Sequence, residues 1–210
     1  MLIQQTDGEE FSVPEYLHSV AHAHWPEAPD AVERLERCLS NPWAAKEICR
    51  GNPLLFGIRY FLRHLHSEAT GNKVTMGNHH IAWHNLIVAL SDPVARTEAI
   101  VAPRGASKST WFFLIAPSYW LAYGYAKFVM ALADSSTQGQ EHLASAKREY
   151  ATNLRLRASF PDLCTPATRR KGIVEGDRQS LYKSNGGVFS AFGIDSSVLG
   201  LKVGAVRPDI

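Results

Sequence analysis

One stretch limits the fold more than any other. Thr97-Glu98-Ala99-Ile100-Val101-Ala102 is a short apolar run without helical period, Pro103-Arg104-Gly105-Ala106-Ser107-Lys108-Ser109-Thr110 is small, polar and basic, and the chain is then apolar to about Ala122. The first run predicts a buried strand, and the long run behind the turn-forming loop predicts a helix. Lys127-Phe128-Val129-Met130-Ala131-Leu132-Ala133-Asp134 predicts a second buried strand, with Ser135-Ser136-Thr137 as the cap of a helix running to about Arg155. That order predicts an α/β fold, a mostly parallel sheet flanked by helices, with ligands at the carboxyl ends of the strands. Thr165 to Asp177 reads as a basic loop. Asn185-Gly186-Gly187, between Leu181-Tyr182 and Val188-Phe189-Ser190-Ala191-Phe192, predicts a hairpin.

Upstream the pattern is helical. Val32, Leu35, Cys38 and Leu39 recur at helical intervals behind Asp30, a candidate N-cap, and Asn41-Pro42 stops that helix. A second helix runs from Pro42 to before Gly51-Asn52-Pro53, a third through Leu54 to Leu65, and Thr70-Gly71-Asn72 reads as a loop. His80 to Leu90 is apolar on most faces, which predicts a buried helix. The organisation expected is a flexible N-terminus over 1–12, a helical region over 13–90, and an α/β core over 91–210, the pattern changing at Ser91-Asp92-Pro93.

Composition narrows the function classes. With 45% hydrophobic and 20% charged residues in 210, collagen-like and wholly disordered readings are excluded. No run of 18 apolar residues occurs and the first twenty residues carry acids, so a soluble, cytoplasmic protein without a membrane partner is expected. The net charge of +2 hides an asymmetry: residues 1–96 hold 8 Lys or Arg against 11 Asp or Glu, whereas residues 97–210 hold 14 against 9. The second half leans toward anionic partners. Cys38, Cys49 and Cys164 have no CxxC spacing and read as reduced structural residues. His18 and His22, like His80 and His84, are four apart, which sets each pair on one helix face. Neither pair has the intervening acid or the third ligand of a zinc site.

The loop ahead of the apolar helix carries the chemistry. A phosphate-binding loop needs a turn whose successive N–H groups wrap an anion, a helix N-terminus facing it, a Lys at the helix start to reach the β- and γ-phosphates, and a following Ser or Thr for Mg²⁺. Lys108 and Ser109 fill the last two places. Ala102 and Ser107 stand where the two glycines of the GxxxxGK[ST] pattern belong, with Gly105 inside the loop. Both substitutes are small, although a positive φ costs more at Ser107 than at Gly. A lysine capping an ordinary strand-to-helix loop is the alternative. Arg104 inside the loop suits a nucleotide oxygen or developing transition-state charge, and otherwise is a solvated loop arginine.

Taken together, the deviant loop with its Arg, the strand ending in Asp134-Ser135, the helix, Asn153-Leu154, Phe160-Pro161, Ser190 to Leu201 and Arg207-Pro208-Asp209-Ile210 resemble the ATPase domain of phage terminase large subunits, the DNA-packaging motors. The resemblance spans roughly residues 76–210. It implies a P-loop NTPase-type sheet and an enzyme that in full couples ATP hydrolysis to packaging of viral DNA and cleaves that DNA. Under it Arg104, Gly105, Ala106, Ser107, Lys108, Ser109 and Thr110 contact ATP, Arg104 and Lys108 serve catalysis, and Ser109 holds Mg²⁺. It further implies double-stranded DNA, a portal protein and a small terminase subunit as partners, a homo-oligomeric ring, and assembly in the host cytoplasm. In that family Arg-Pro-Asp leads into the strand bearing the water-activating acids. Asp209 is therefore not such an acid, and these 210 residues are expected to bind nucleotide weakly and neither hydrolyse it nor cut DNA.

Three further readings stay open. Arg207 resembles a phosphate-approaching position or is a solvent arginine; Arg169-Arg170-Lys171 could contact DNA phosphates or form a solvated loop. Trp83 and His84 lie where the family places residues near the adenine, and a buried aromatic helix face explains them equally. Beside the ATPase stand a catalytically inactive module docking DNA or protein, and an unrelated helicase-like or kinase-like P-loop protein.

Overall fold

A computed structural model describes residues 11–62, 75–94, 97–102, 105–168, 177–194, 196 and 207–209. The expectations for residues 1–10, Thr70-Gly71-Asn72, Arg104, Arg169-Arg170-Lys171, Asp195, 197–201 and Ile210 lie outside the described residues. The chain divides into two compact units, Met1–Leu90 and Ser91–Ile210.

In the first unit, β1 (Phe11–Ser12) pairs antiparallel with β2 (Thr75–Met76), Phe11 opposite Met76. Helices α1 (Val13–His24), α2 (Ala31–Ser40), α3 (Pro42–Ile48), α4 (Pro53–Gly57) and α5 (Asn78–Ala89) make up the rest, α4 running on into a π turn over Ile58–Leu62. Their starts follow from capping residues. Ser12 and Glu15 form a capping box, and the Asn41 carboxamide oxygen accepts from the N–H groups of Trp43 and Ala44. Asp30 stands at the expected N-cap of α2, but its carboxylate makes no capping bond. It is drawn instead to Arg34 at 2.8 Å and Arg37 at 3.3 Å, and the Arg34 guanidinium holds its carboxyl below the usual carboxylate range.

Asn52 does double duty at the head of α4. Its Oδ1 accepts from the Leu55 N–H at 2.9 Å and from the buried Tyr16 hydroxyl at 2.8 Å. Replacing Asn52 with Ala removes a helix cap and leaves a buried hydroxyl unpaired, so Asn52→Ala should cost about 2–3 kcal/mol. Chemical denaturation would show it; a loss under about 0.5 kcal/mol would mean that another acceptor takes over.

The second unit is α/β, as its sequence order predicts, but its sheet is mixed. The order is β3 (Phe128–Ala133), β6 (Val188–Gly193), β5 (Leu181–Lys183), β4 (Asp177–Arg178). Only β3 and β6 run parallel, in register from Phe128 opposite Val188 to Ala133 opposite Gly193, while β6–β5 and β5–β4 are antiparallel. The expectation of a mostly parallel sheet is corrected by the Asn185-Gly186-Gly187 hairpin, which turns β5 back onto β6. The strand expected over Thr97–Ala102 is also absent: these residues carry no regular structure, and Val101 is 100% exposed. A strand needs a partner for its N–H and C=O groups, and no described strand pairs with this run.

Helix α6 (Lys108–Thr110), a π turn over Trp111–Ile115 and α7 (Ala116–Tyr123) follow one another without a break. Pro117 explains the π turn: it has no N–H for the carbonyl of Phe113 and its ring crowds that position, so the turn upstream opens. The Ser135 Oγ caps α8 (Ser136–Thr152), and the Asn153 Oδ1 caps a new helix, α9 (Leu154–Ser159), where one helix to Arg155 is expected from the sequence. Helix α10 (Pro161–Cys164) completes the layer. The buried core includes Trp111, Ile115, Tyr119, Phe128, Val129, Leu143, Tyr150 and Phe189. Two of its buried tyrosine hydroxyls are paired, Tyr150 with Ser118 Oγ at 2.9 Å and Tyr182 donating to Leu163 O at 2.9 Å. No helix among the described residues is long and apolar enough to cross a membrane.

Residues Arg207–Asp209 return to β3. The Lys127 and Ala133 carbonyls accept from Val188 and Ile194 on the β6 side, so Phe128 turns its backbone groups to the opposite edge. There the Asp209 Oδ2 accepts from the N–H of Lys127 at 2.7 Å and of Phe128 at 2.9 Å, and the Asp209 N–H donates to Phe128 O at 2.8 Å.

Candidate nucleotide-binding loop

The loop expected to carry the chemistry has an unusual backbone. Gly105 has φ +85°, and Ser107 has φ +60° and ψ +23°; Ser107 is the non-glycine residue with positive φ among the described residues. Ala106 between them has no positive φ. Alternation of left- and right-handed residues turns successive N–H groups toward one side, forming an anion-binding concavity. The Trp111 N–H makes the first helical bond, to Ser107 O at 3.1 Å, so the first-turn N–H groups of Lys108, Ser109 and Thr110 lie ahead of the helical ladder at its positive end. One feature therefore combines a candidate nest with a helix N-terminus.

The side chains complete the arrangement. Lys108 stands at the first position of α6, and its Nζ reaches back over the loop to donate to Ala102 O at 2.5 Å. Ser109 is exposed and Thr110 half-buried. Ala102, which the sequence offers only as a stand-in for a glycine, thus acts through its carbonyl; no side-chain signal could announce that. Arg104 is outside the described residues, so its role is carried by sequence alone.

The left-handed Ser107 is strained. A Cβ in that region costs about 1–2 kcal/mol, and a glycine in its place gives back part of that gain through its greater chain entropy. Ser107→Gly should raise stability by about 0.5–1 kcal/mol in a thermal melt. A destabilised variant would mean that the hydroxyl holds the loop.

Other expected positions have other places. Asp209 clamps the amino end of β3 with its carboxylate. Among the described residues no group of three or more His, Cys, Asp or Glu could hold a metal ion. His18 and His22 stack on α1 with ring centres 4.4 Å apart. His80 accepts the Gly77 N–H through Nδ1 at 3.1 Å, and His84, 1% exposed, accepts the Leu54 N–H at 3.4 Å. Trp83 is buried against the His79 and His80 rings. Trp83 and His84 therefore belong to the core of the first unit. Burial pushes the Cys164 thiol up to about 12 and raises Cys49 as well, so both stay neutral and unreactive. Sequence reasoning missed the contact of Phe113 with His142, ring centres 4.3 Å apart, which ties the π turn to α8; ring pairs between distant segments leave no local signal.

Set against protein-family models, curated proteins and solved structures, the chain matches none of them.

Proposed function

We propose that the Gly105–Thr110 loop binds the phosphates of ATP with Mg²⁺, and that the chain is the ATP-binding part of a phage DNA-packaging motor of the terminase large-subunit kind. The observation carrying this reading is the alternation of φ signs through Gly105, Ala106 and Ser107 directly ahead of Lys108. An unconstrained loop has no reason to hold a serine in the left-handed region, and strained residues of this sort cluster at ligand sites. The nest N–H groups would cradle phosphate oxygens, Lys108 would leave Ala102 O to reach the β- and γ-phosphates, and Ser109 would hold Mg²⁺. Arg104 would steady the γ-phosphate, and Thr110 would close the first helical turn around it. In this reading the fold is of the P-loop NTPase type, and the resemblance supplies double-stranded DNA, a portal protein and a small terminase subunit as partners, ring assembly and the host cytoplasm.

Hydrolysis needs a carboxylate to orient water. The Asp209 carboxylate is engaged by two backbone N–H groups and is given no part in the proposed binding. Calorimetric titration of the 210-residue chain with ATP, with and without Mg²⁺, tests the proposal. Magnesium-dependent saturable binding is expected, and heat no larger than dilution would end it. The closure of Lys108 onto Ala102 O favours one second reading, a loop locked without nucleotide in a docking module, and that reading takes over if no binding is found.

A further inference from the structure

Two histidine pairs share one spacing, His18 with His22 and His80 with His84, and the fold uses them in opposite ways. His80 and His84 are buried, and each accepts a backbone N–H through Nδ1, from Gly77 and from Leu54. Their lone pairs are spent, because in a neutral imidazole the other nitrogen carries the proton. His18 and His22 point the other way. Helix α1 buries Tyr16, Leu17, Val20 and Ala21, and positions 18 and 22 fall on its opposite face, His18 exposed and His22 half-buried. Their ring centres are 4.4 Å apart, and neither ring hydrogen-bonds a described residue.

We infer that His18 and His22 form a two-imidazole site for a late first-row transition-metal dication, copper(II) above the others. Imidazole suits copper, nickel and zinc, and at a given nitrogen site copper(II) binds tightest of the divalent series. Two nitrogens each about 2.0–2.1 Å from one metal ion stand about 3 Å apart. Rings already in contact one helical turn apart meet that spacing by rotation about their side-chain torsions, with no change of backbone. Chelation supplies the affinity: once one imidazole holds the ion, the other is kept beside it. Water fills the remaining positions, so the third protein ligand of a structural zinc site is not required.

The helix itself favours a cation there. It carries no Lys or Arg, and His22 lies in its last turn, where the negative end of the helix dipole attracts positive charge. The Trp25 N–H bonds Ala21 O at 2.9 Å, so helical hydrogen bonding continues past both histidines. Magnesium takes oxygen ligands and does not compete, and the site makes no use of the nucleotide loop.

Titration of the 210-residue chain with copper(II), followed by calorimetry and by electron paramagnetic resonance, tests this site. One tightly bound ion per chain is expected, with a spectrum split by two imidazole nitrogens, a signature that needs no variant. His18→Gln and His22→Gln should each weaken binding at least about tenfold, since either leaves a single imidazole. Both positions face solvent, so without metal these variants should melt like the unaltered chain. His24→Gln, two residues on and on another face of α1, should bind copper as the unaltered chain does. Bound copper should raise the melting temperature of the unaltered chain and of neither pair variant, because an ion that prefers the folded helix stabilises it. Saturation only above about 1 mM, a spectrum of one nitrogen or of oxygens alone, or pair variants that bind as tightly as the unaltered chain would each overturn the assignment.

Discussion

Lys108→Ala should abolish magnesium-dependent ATP binding, with a weakening of at least about a hundredfold in the calorimetric titration. Under the proposed reading the lysine would supply charge-assisted hydrogen bonds to two phosphates, each worth about 1.5–3 kcal/mol, and alanine supplies none. The variant should fold. In the ligand-free loop Lys108 Nζ donates to Ala102 O of an irregular segment, and alanine is the better helix former at that position. Ser107→Gly is the matched control: it keeps the nest, relieves the left-handed serine and should retain binding. If Lys108→Ala binds Mg-ATP as tightly as the unaltered chain, the phosphates are not seated at this loop and the proposal falls.

Gly187→Ala should be the most damaging small substitution in the second unit. Gly187 has φ +144°, and a Cβ there would stand 2.7 Å from Lys127 O and 2.8 Å from Leu121 Cδ2. A leucine tip can turn aside, but the Lys127 carbonyl cannot. It accepts from Val188, and the Lys127 N–H is held by Asp209, so moving it disturbs the β3–β6 pairing and the Asp209 clamp together. Left-handed strain and overpacking each cost about 1–3 kcal/mol, so a loss of about 3–5 kcal/mol is expected, a large part of a typical domain's stability. A melting temperature lower by about 10 °C or more would show it. A shift under about 3 °C would mean that the hairpin relaxes without moving Lys127.

Much of this molecule is legible locally. The Ser135 cap, the β3 run and the Asn185-Gly186-Gly187 turn act through neighbours within a few residues, which a reader of the sequence can see, whereas the Asn153 cap breaks a helix expected to run on to Arg155. Asp30 shows where that legibility fails. Its position is that of a cap, but two arginines one and two turns on compete for the same carboxylate and take it. Thr97–Ala102 fails for a related reason. Apolar alternation marks a segment able to be a strand, but strand formation needs a partner with open hydrogen-bonding groups, and that depends on residues far away in sequence.

The candidate site divides in the same way. Lys108, Ser109 and the small residues ahead of them could be read directly, because a phosphate loop is a local motif. That Ser107 takes φ +60°, that Lys108 closes onto a carbonyl six residues back, and that Asp209 spends its charge on the edge of β3 could not. Each is settled by what surrounds the residue in three dimensions. The sequence by itself determined the helix starts, the hairpin and the α/β class, since these rest on short-range hydrogen bonds and periodic burial. Tertiary structure alone decided the mixed sheet order and the unpaired Thr97–Ala102 run, since strand pairing joins residues that the chain itself keeps apart.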